Sequence, residues 1–389
     1  MDNKLIRVAI THGDTNGIGY EVILKTFEDP AMFEICTPII YGSPKVAAYY
    51  RKMLNLQTNF SIINRAEDAR DGRLNLLTTF EEEVKIEVGQ PSKEAGEAAL
   101  KALDRAMTDY RADLYDVLVT APINKKNIQS KLFKFCGHTE YIEDCVGEGN
   151  KALMILMNGG MRVALVTTHL PIKEVAESIT KEAIVEKTRI FFNSLKRDFR
   201  ISNPRIAVLA LNPHAGDGGL IGTEEQETII PAIQELEESG IQAFGPADGF
   251  FGSGAYSRFD GIMAMYHDQG LAPFKALAVE EGVNYTAGLP IVRTSPDHGT
   301  AYDIAGKGVA DTNSFRQAIY TAIDIYRNRK SYDEPMANPL PKLYHEKRDE
   351  SEKTRFAIPK QKEPAKHEER QPKHESKPQR QEDEQPEAE

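Results

Sequence analysis

The stretches RVALVTTHLP at residues 162–171, RIAVLALNPHAG at 205–216 and GIMAMYHDQG at 261–270 decide the fold. Each begins as an apolar run short enough for a buried strand, and each delivers a histidine just past the end of that run. In an open α/β sheet the carboxyl ends of parallel strands share one crevice where ligands collect. His169, His214 and His267 therefore become candidates for a single divalent metal site, although far apart in sequence. Neutral imidazoles suit zinc and its neighbours, and three protein ligands leave open the coordination position that a catalytic metal needs. Any one of these histidines taken alone reads better as a hydrogen-bonded loop residue than as a ligand. The equivalence of the three strand ends is what argues for a shared site.

Working outward, strand-like runs alternate with helical patterns through residues 1–330. LIRVAIT at 5–11 precedes EVILKTF at 21–27, PIIYGS at 38–43 precedes KVAAYYRKML at 45–54, and a helical pattern from Ser92 to Arg111 leads into DVLVTAP at 116–122. Further helical patterns follow the His169 and His214 strands, at 181–199 and 223–240, the second ending at Gly240. The rhythm predicts an α/β, two-domain protein with a mostly parallel sheet and flanking helices. From about Ser331 the apolar periodicity gives way to Lys, Glu, Gln and Pro, so residues 331–389 read as a charged, disordered tail beside a catalytic unit over 1–330. Within that unit the active site is expected in a cleft between two α/β subdomains.

The chain has 389 residues, 40% of them hydrophobic, and a formal net charge of −11, a balance that argues against nucleic acid as a partner. The sequence offers neither a signal segment nor an apolar run of bilayer-spanning length, so a cytoplasmic protein without a membrane partner is expected. Cys36, Cys136 and Cys145 lack CxxC spacing and read as reduced thiols.

Three loops could carry chemistry. HGDTNGIGYE at 12–21 has glycines at 13, 17 and 19 ahead of a helix, where backbone amides could meet an anion, yet it lacks the GxGxxG spacing of a dinucleotide fingerprint. VTAPINKKNI at 119–128 brings Thr120, Asn124 and Lys125 to a strand end, and KFCGHTEYIED at 134–144 sets His138 and Thr139 at a helix start. Between 273 and 301, Lys275, Asn284 and Arg293 recur among apolar and glycine-rich residues, a set able to hold a phosphate and a carboxylate.

ITHGDTNGIG, VTAPINK, GHTEY, RVALVTTHLP, LNPHAGDGG, AMYHDQGLAPFK and GVNYTAGLPIVRTSPDHGTAYDIAG, in this order, closely resemble the 4-hydroxythreonine-4-phosphate dehydrogenase family of pyridoxal phosphate biosynthesis across residues 5–328. The resemblance implies a fold related to the isocitrate and isopropylmalate dehydrogenases and a homodimer with shared active sites. It implies NAD-dependent oxidation and decarboxylation of 4-phosphohydroxy-L-threonine to 3-amino-2-oxopropyl phosphate, a step of pyridoxine 5'-phosphate biosynthesis. It assigns His169, His214 and His267 to a divalent metal, with zinc first and magnesium or cobalt as alternatives. His138, Thr139, Lys275, Asn284 and Arg293 match the substrate-binding positions, with Lys275 and then His138 the candidates for proton transfer.

Two departures from the family pattern stand out. His12 and Thr15 replace prolines of the usual first loop, and QAFGPADGFFG at 242–252 is shorter than usual, with Gly249 in place of threonine. They keep alive the same reaction on another phosphorylated 2-hydroxy acid, such as phosphoerythronate or phosphothreonate. A metal-dependent hydrolase and a catalytically silent binding protein are the rivals from other classes.

Overall fold

The computed structural model describes residues 5–81, 84–130, 133–278 and 281–339. Twelve strands among them form one sheet in which two parallel wings meet at an antiparallel junction. From its edge inward, the first wing runs Phe60–Ile63, Leu74–Thr78, Cys36–Gly42, Ile6–Thr11, Val117–Thr120 and Arg293–Pro296, every neighbouring pair parallel. Val283–Ala287 and Leu153–Asn158 then pair antiparallel with their neighbours. The second wing, Met161–Leu165, Gly261–Ala264, Arg205–Leu209 and Gln242–Ala247, is again parallel.

The inner strands are covered on both faces, which is why they read as unbroken apolar runs. Cys36–Gly42 and Val117–Thr120 are buried at every position. Helix Lys93–Arg111 starts as its sequence predicts, with Ser92 Oγ accepting from Ala95 N at 3.2 Å, and buries its alanines, Leu103 and Met107. Thr180 caps Lys181–Arg197 in the same way, through Ala183 N at 3.1 Å. The predicted helix at 223–240 forms as a π-turn, Glu225–Ile229, continued by Ile230–Glu238.

The last helix, Asn313–Ala337, packs on the strands at the middle of the sheet. Its Arg329 is buried, pairs with Asp198 at 2.7 Å, and donates to the Tyr285 hydroxyl and to the carbonyls of Leu289 and Pro290. Because this helix runs to Ala337, order extends past the boundary drawn at 330. Residues up to Asn338 make one compact unit; most of the second unit, residues 340–389, and with it most of the predicted tail, lies outside the described residues. No helix among the described residues is long and apolar enough to cross a membrane, and all three cysteines are free thiols.

The glycine-rich first loop differs from the anion-binding expectation. Residues 12–19 are all buried. The amides of Asp14 and Ile18 donate to the carbonyls of Pro122 and Thr300, at 2.9 and 3.0 Å, so they are not free for a ligand. Gly13 has φ +74°, and a Cβ there would stand 2.3 Å from Pro122 O. These glycines let three distant backbone segments touch. His12, inside this joint, stacks on Tyr20 with ring centroids 5.0 Å apart.

Burial lowers the His12 pKa to about 4. Below about pH 6.5 the unfolded imidazole takes up a proton that the folded one refuses until about pH 4, so stability falls as pH drops through that window. His12→Phe, which keeps the ring stack, is expected to flatten the acid side of the stability profile between those limits. Urea unfolding midpoints across that range check it.

Candidate active site

One cavity of about 200 Å³ opens where the two wings meet. His138, Thr139, Lys275, Asn284 and Arg293, the five predicted substrate residues, line it, and so does His169. The topology explains their meeting. Arg293 begins a strand that runs parallel beside Val117–Thr120, and Asn284 lies on the antiparallel strand one place further across. His138 and Thr139 open helix His138–Val146, whose first amides have no partner within the helix.

Arg293 is 3% exposed, and its guanidinium donates to the hydroxyls of Thr120 and Thr286. Among the described residues no carboxylate forms an ion pair with it. Burial lowers its pKa to about 10, still far above neutrality, so the cavity wall carries a desolvated positive charge. His138 beside it is held well below the ordinary imidazole value, first by burial and then by the charges of Arg293 and Lys125. It therefore stands in the cavity as a neutral imidazole, with a lone pair able to accept a hydrogen bond. Asn284 Oδ1 is buried without a partner, an acceptor waiting for a donor. Lys275 Nζ stands 3.7 Å from Asp297 Oδ1, and burial raises the Asp297 pKa against the pull of that ammonium. Glu140, Asp297 and His298 also line the cavity and escaped the sequence reading, since nothing local distinguishes them from solvated residues.

The three candidate metal ligands follow strands that are direct neighbours, with the His267 strand between those of His169 and His214. His169 and His267 face each other with ring centroids 6.1 Å apart. His214 does not join them, and no set of three ligating side chains gathers among the described residues. The reason is local: His214, Ala215 and Asp217 have φ of 54°, 52° and 43°, part of a left-handed turn completed by Gly216 and Gly218. That turn leaves His214 76% exposed, beside Asp248 on the outermost strand's loop. Buried Glu225 holds the turn's base by accepting from the amides of Leu211 and Asn212, at 2.8 and 2.6 Å.

A common pattern links the three imidazoles. Nδ1 of His169 faces Glu140 at 3.5 Å, Nδ1 of His214 faces Asp248 at 3.4 Å, and Nδ1 of His267 faces Asp268 at 2.7 Å. A carboxylate at Nδ1 favours the proton there and leaves the Nε2 lone pair for a cation. The donor chemistry thus fits a divalent ion, and two of the three candidate ligands, His169 and His267, already lie together. Asp268 follows its histidine directly in sequence and could have been read from it; Asp248 reaches its partner only through the fold.

A mostly parallel α/β sheet with a desolvated cation and a neutral imidazole in its central cavity defines an enzyme built for small anionic substrates. The chain belongs to the 4-hydroxythreonine-4-phosphate dehydrogenase family, a family of oxidoreductases: the family profile for "Pyridoxal phosphate biosynthetic protein PdxA" matches residues 34–322. It is 65% identical to a 4-hydroxythreonine-4-phosphate dehydrogenase of Bacteroides thetaiotaomicron, over 92% of this chain and 98% of that one. A relative from Oceanobacillus iheyensis, provisionally named a D-threonate 4-phosphate dehydrogenase, is 36% identical over 84% of this chain and 99% of its own. Among solved structures, a 4-hydroxythreonine-4-phosphate dehydrogenase from Burkholderia phymatum superposes with a TM-score of 0.68 at 35% identity, covering 83% of this chain and 99% of that one.

Arg293→Met should weaken anion binding by about 2–3 kcal/mol, the usual loss for a charged hydrogen-bond partner, while keeping the sheet intact. Calorimetric titration with inorganic phosphate, alongside circular dichroism, measures both effects.

Proposed function

We propose that the chain catalyses the NAD-dependent oxidation and decarboxylation of 4-phosphohydroxy-L-threonine to 3-amino-2-oxopropyl phosphate, in pyridoxine 5'-phosphate biosynthesis. The observation that carries the substrate class is Arg293, a buried guanidinium paired only with hydroxyls on a cavity wall. A phosphate or carboxylate is the partner such a group lacks. Family membership in a dehydrogenase implies the redox chemistry and, with it, a nicotinamide and a divalent cation.

Arg293, Thr139 and the open amides of helix His138–Val146 hold the substrate's anionic ends, and Asn284 Oδ1 accepts from its hydroxyl or ammonium group. Once the substrate's anionic groups offset the charges of Arg293 and Lys125, which in the empty cavity oppose its protonation, His138 takes the proton of the alcohol as that carbon is oxidised. His169, His214 and His267 would hold the divalent cation, with zinc the choice that imidazole ligands favour. When bound, that cation supplies Lewis acidity and the nicotinamide accepts the hydride. The oxidised product is a β-keto acid, whose carboxylate leaves as carbon dioxide. Lys275 Nζ, an ammonium beside Asp297, gives a proton to the carbon left behind.

We infer that two copies of the chain share the active sites. His169 and His267 meet within one chain while His214 points outward, and exposed apolar side chains flank the same loops: Leu170 and Ile172 after His169, Leu220 after His214, Leu277 beyond His267. Such a rim around an incomplete ligand set is what an isologous interface would cover. We read the two wings of the sheet as two α/β subdomains with the cleft between them.

The full chain with zinc is expected to reduce NAD when given 4-phosphohydroxy-L-threonine, to release carbon dioxide in equal amount, and to stop on chelation. Parallel assays with D-threonate 4-phosphate and D-erythronate 4-phosphate rank the substrates. Phosphate release without NAD reduction would instead mark a hydrolase.

A further inference from the structure

Lys125 lies on the loop after strand Val117–Thr120, lines the cavity, and has its Nζ 2.9 Å from His169 Nε2. An ammonium carries donors only, so this contact requires Nε2 to be the acceptor and places the ring's proton on Nδ1, the atom that faces Glu140. The lone pair that would bind a metal is thus already engaged by a positive charge. A metal at about 2.0–2.1 Å from Nε2 takes that same lone pair, so the two cations exclude one another.

We propose that Lys125 is the placeholder for the metal on His169: it holds the imidazole in its ligating tautomer when no ion is bound, and the arriving ion displaces it into the substrate cavity. The inference rests on the reading of His169 as a metal ligand. Lys125 acts on the metal through His169 and is a positioning residue. Its released ammonium remains on a loop that shares the cavity with His138 and Arg293. Metal loading therefore frees a positive charge that already lines the place where the anionic substrate docks, and the protein assembles its two binding functions together. By reciprocity, whatever Lys125 gains at His169 in the metal-free protein is subtracted from the affinity for metal.

Zinc affinity, measured by competition with a chromophoric chelator on the full-length chain without substrate, tests this. Lys125→Met should bind zinc more tightly than the wild type by at least about fivefold. Lys126→Met, which removes the same charge one residue away, should change the affinity less than about twofold. Equal affinities for Lys125→Met and wild type, or equal tightening by Lys126→Met, would overturn the proposal. His169→Ala separates the two readings: if it keeps wild-type zinc affinity, the ligand assignment fails. If it loses zinc while Lys125→Met fails to tighten, only the placeholder fails. The wild type gives a second readout that does not depend on a variant folding. Acylation of Lys125, followed by peptide mapping, should speed up at least about threefold on adding zinc, and an unchanged rate would count against displacement.

Discussion

A charge removed from water must be neutralised or hydrogen-bonded, and at the centre of this protein it is only hydrogen-bonded. Arg293 sits at the start of a strand in the middle of a twelve-stranded sheet, held by two threonine hydroxyls, with no carboxylate in ion-pair contact among the described residues and Glu140 acting on it only from a distance. The surrounding groups follow from that fact. Burial first, and then the charges of the guanidinium and Lys125, oppose protonation of the nearby His138 imidazole. The open amides of one helix add further positive potential on the same cavity. Protein carboxylates near the cavity are committed elsewhere, Glu140 to His169 and Asp297 to Lys275. What remains is an electropositive cavity, and a substrate carrying a phosphate and a carboxylate completes it.

The side of the sheet that carries the three histidines obeys a second constraint, the direction of the imidazole lone pairs. Each of the three histidines has a carboxylate at Nδ1, so each can present Nε2 outward. Strand order brings their loops side by side, but a left-handed turn aims His214 away from the other two. Backbone in that region costs a non-glycine residue on the order of 1–3 kcal/mol, and three such residues occur in one turn. A conformation that costly is kept when something outside the turn uses it. The proposed second copy of the chain would do so, because it turns an outward-facing ligand into a completing one.

Much of this was legible in the sequence, for reasons that differ by residue. His169, His214 and His267 could be placed at strand ends because apolar runs and the turns after them are local signals, and the structure bears out those strands. Ser92 as a helix cap was equally local. The junction strands Leu153–Asn158 and Val283–Ala287 were not read, since a buried antiparallel strand carries no alternation to mark it among loop-like glycines. The first loop misled because its glycines answer to Pro122 and Thr300, contacts more than a hundred residues away that periodicity cannot see. Helix Asn313–Ala337 outlasts its apolar pattern because Arg329, a charged residue, is its deepest anchor near that end. The Nδ1 carboxylates and the Lys125 contact likewise exist only once the chain is folded.

Subunit complementation addresses the central claim most directly, that His214 of one copy completes the pair His169 and His267 of the other. His169→Ala and His214→Ala are each expected to be inactive. Mixing them under conditions that exchange subunits should restore about a quarter of wild-type activity, because half the dimers are hybrids and each hybrid holds one intact site. If subunits exchange and no activity returns, His169 and His214 serve one site from the same chain, and the claim that His214 is lent to the other copy is wrong.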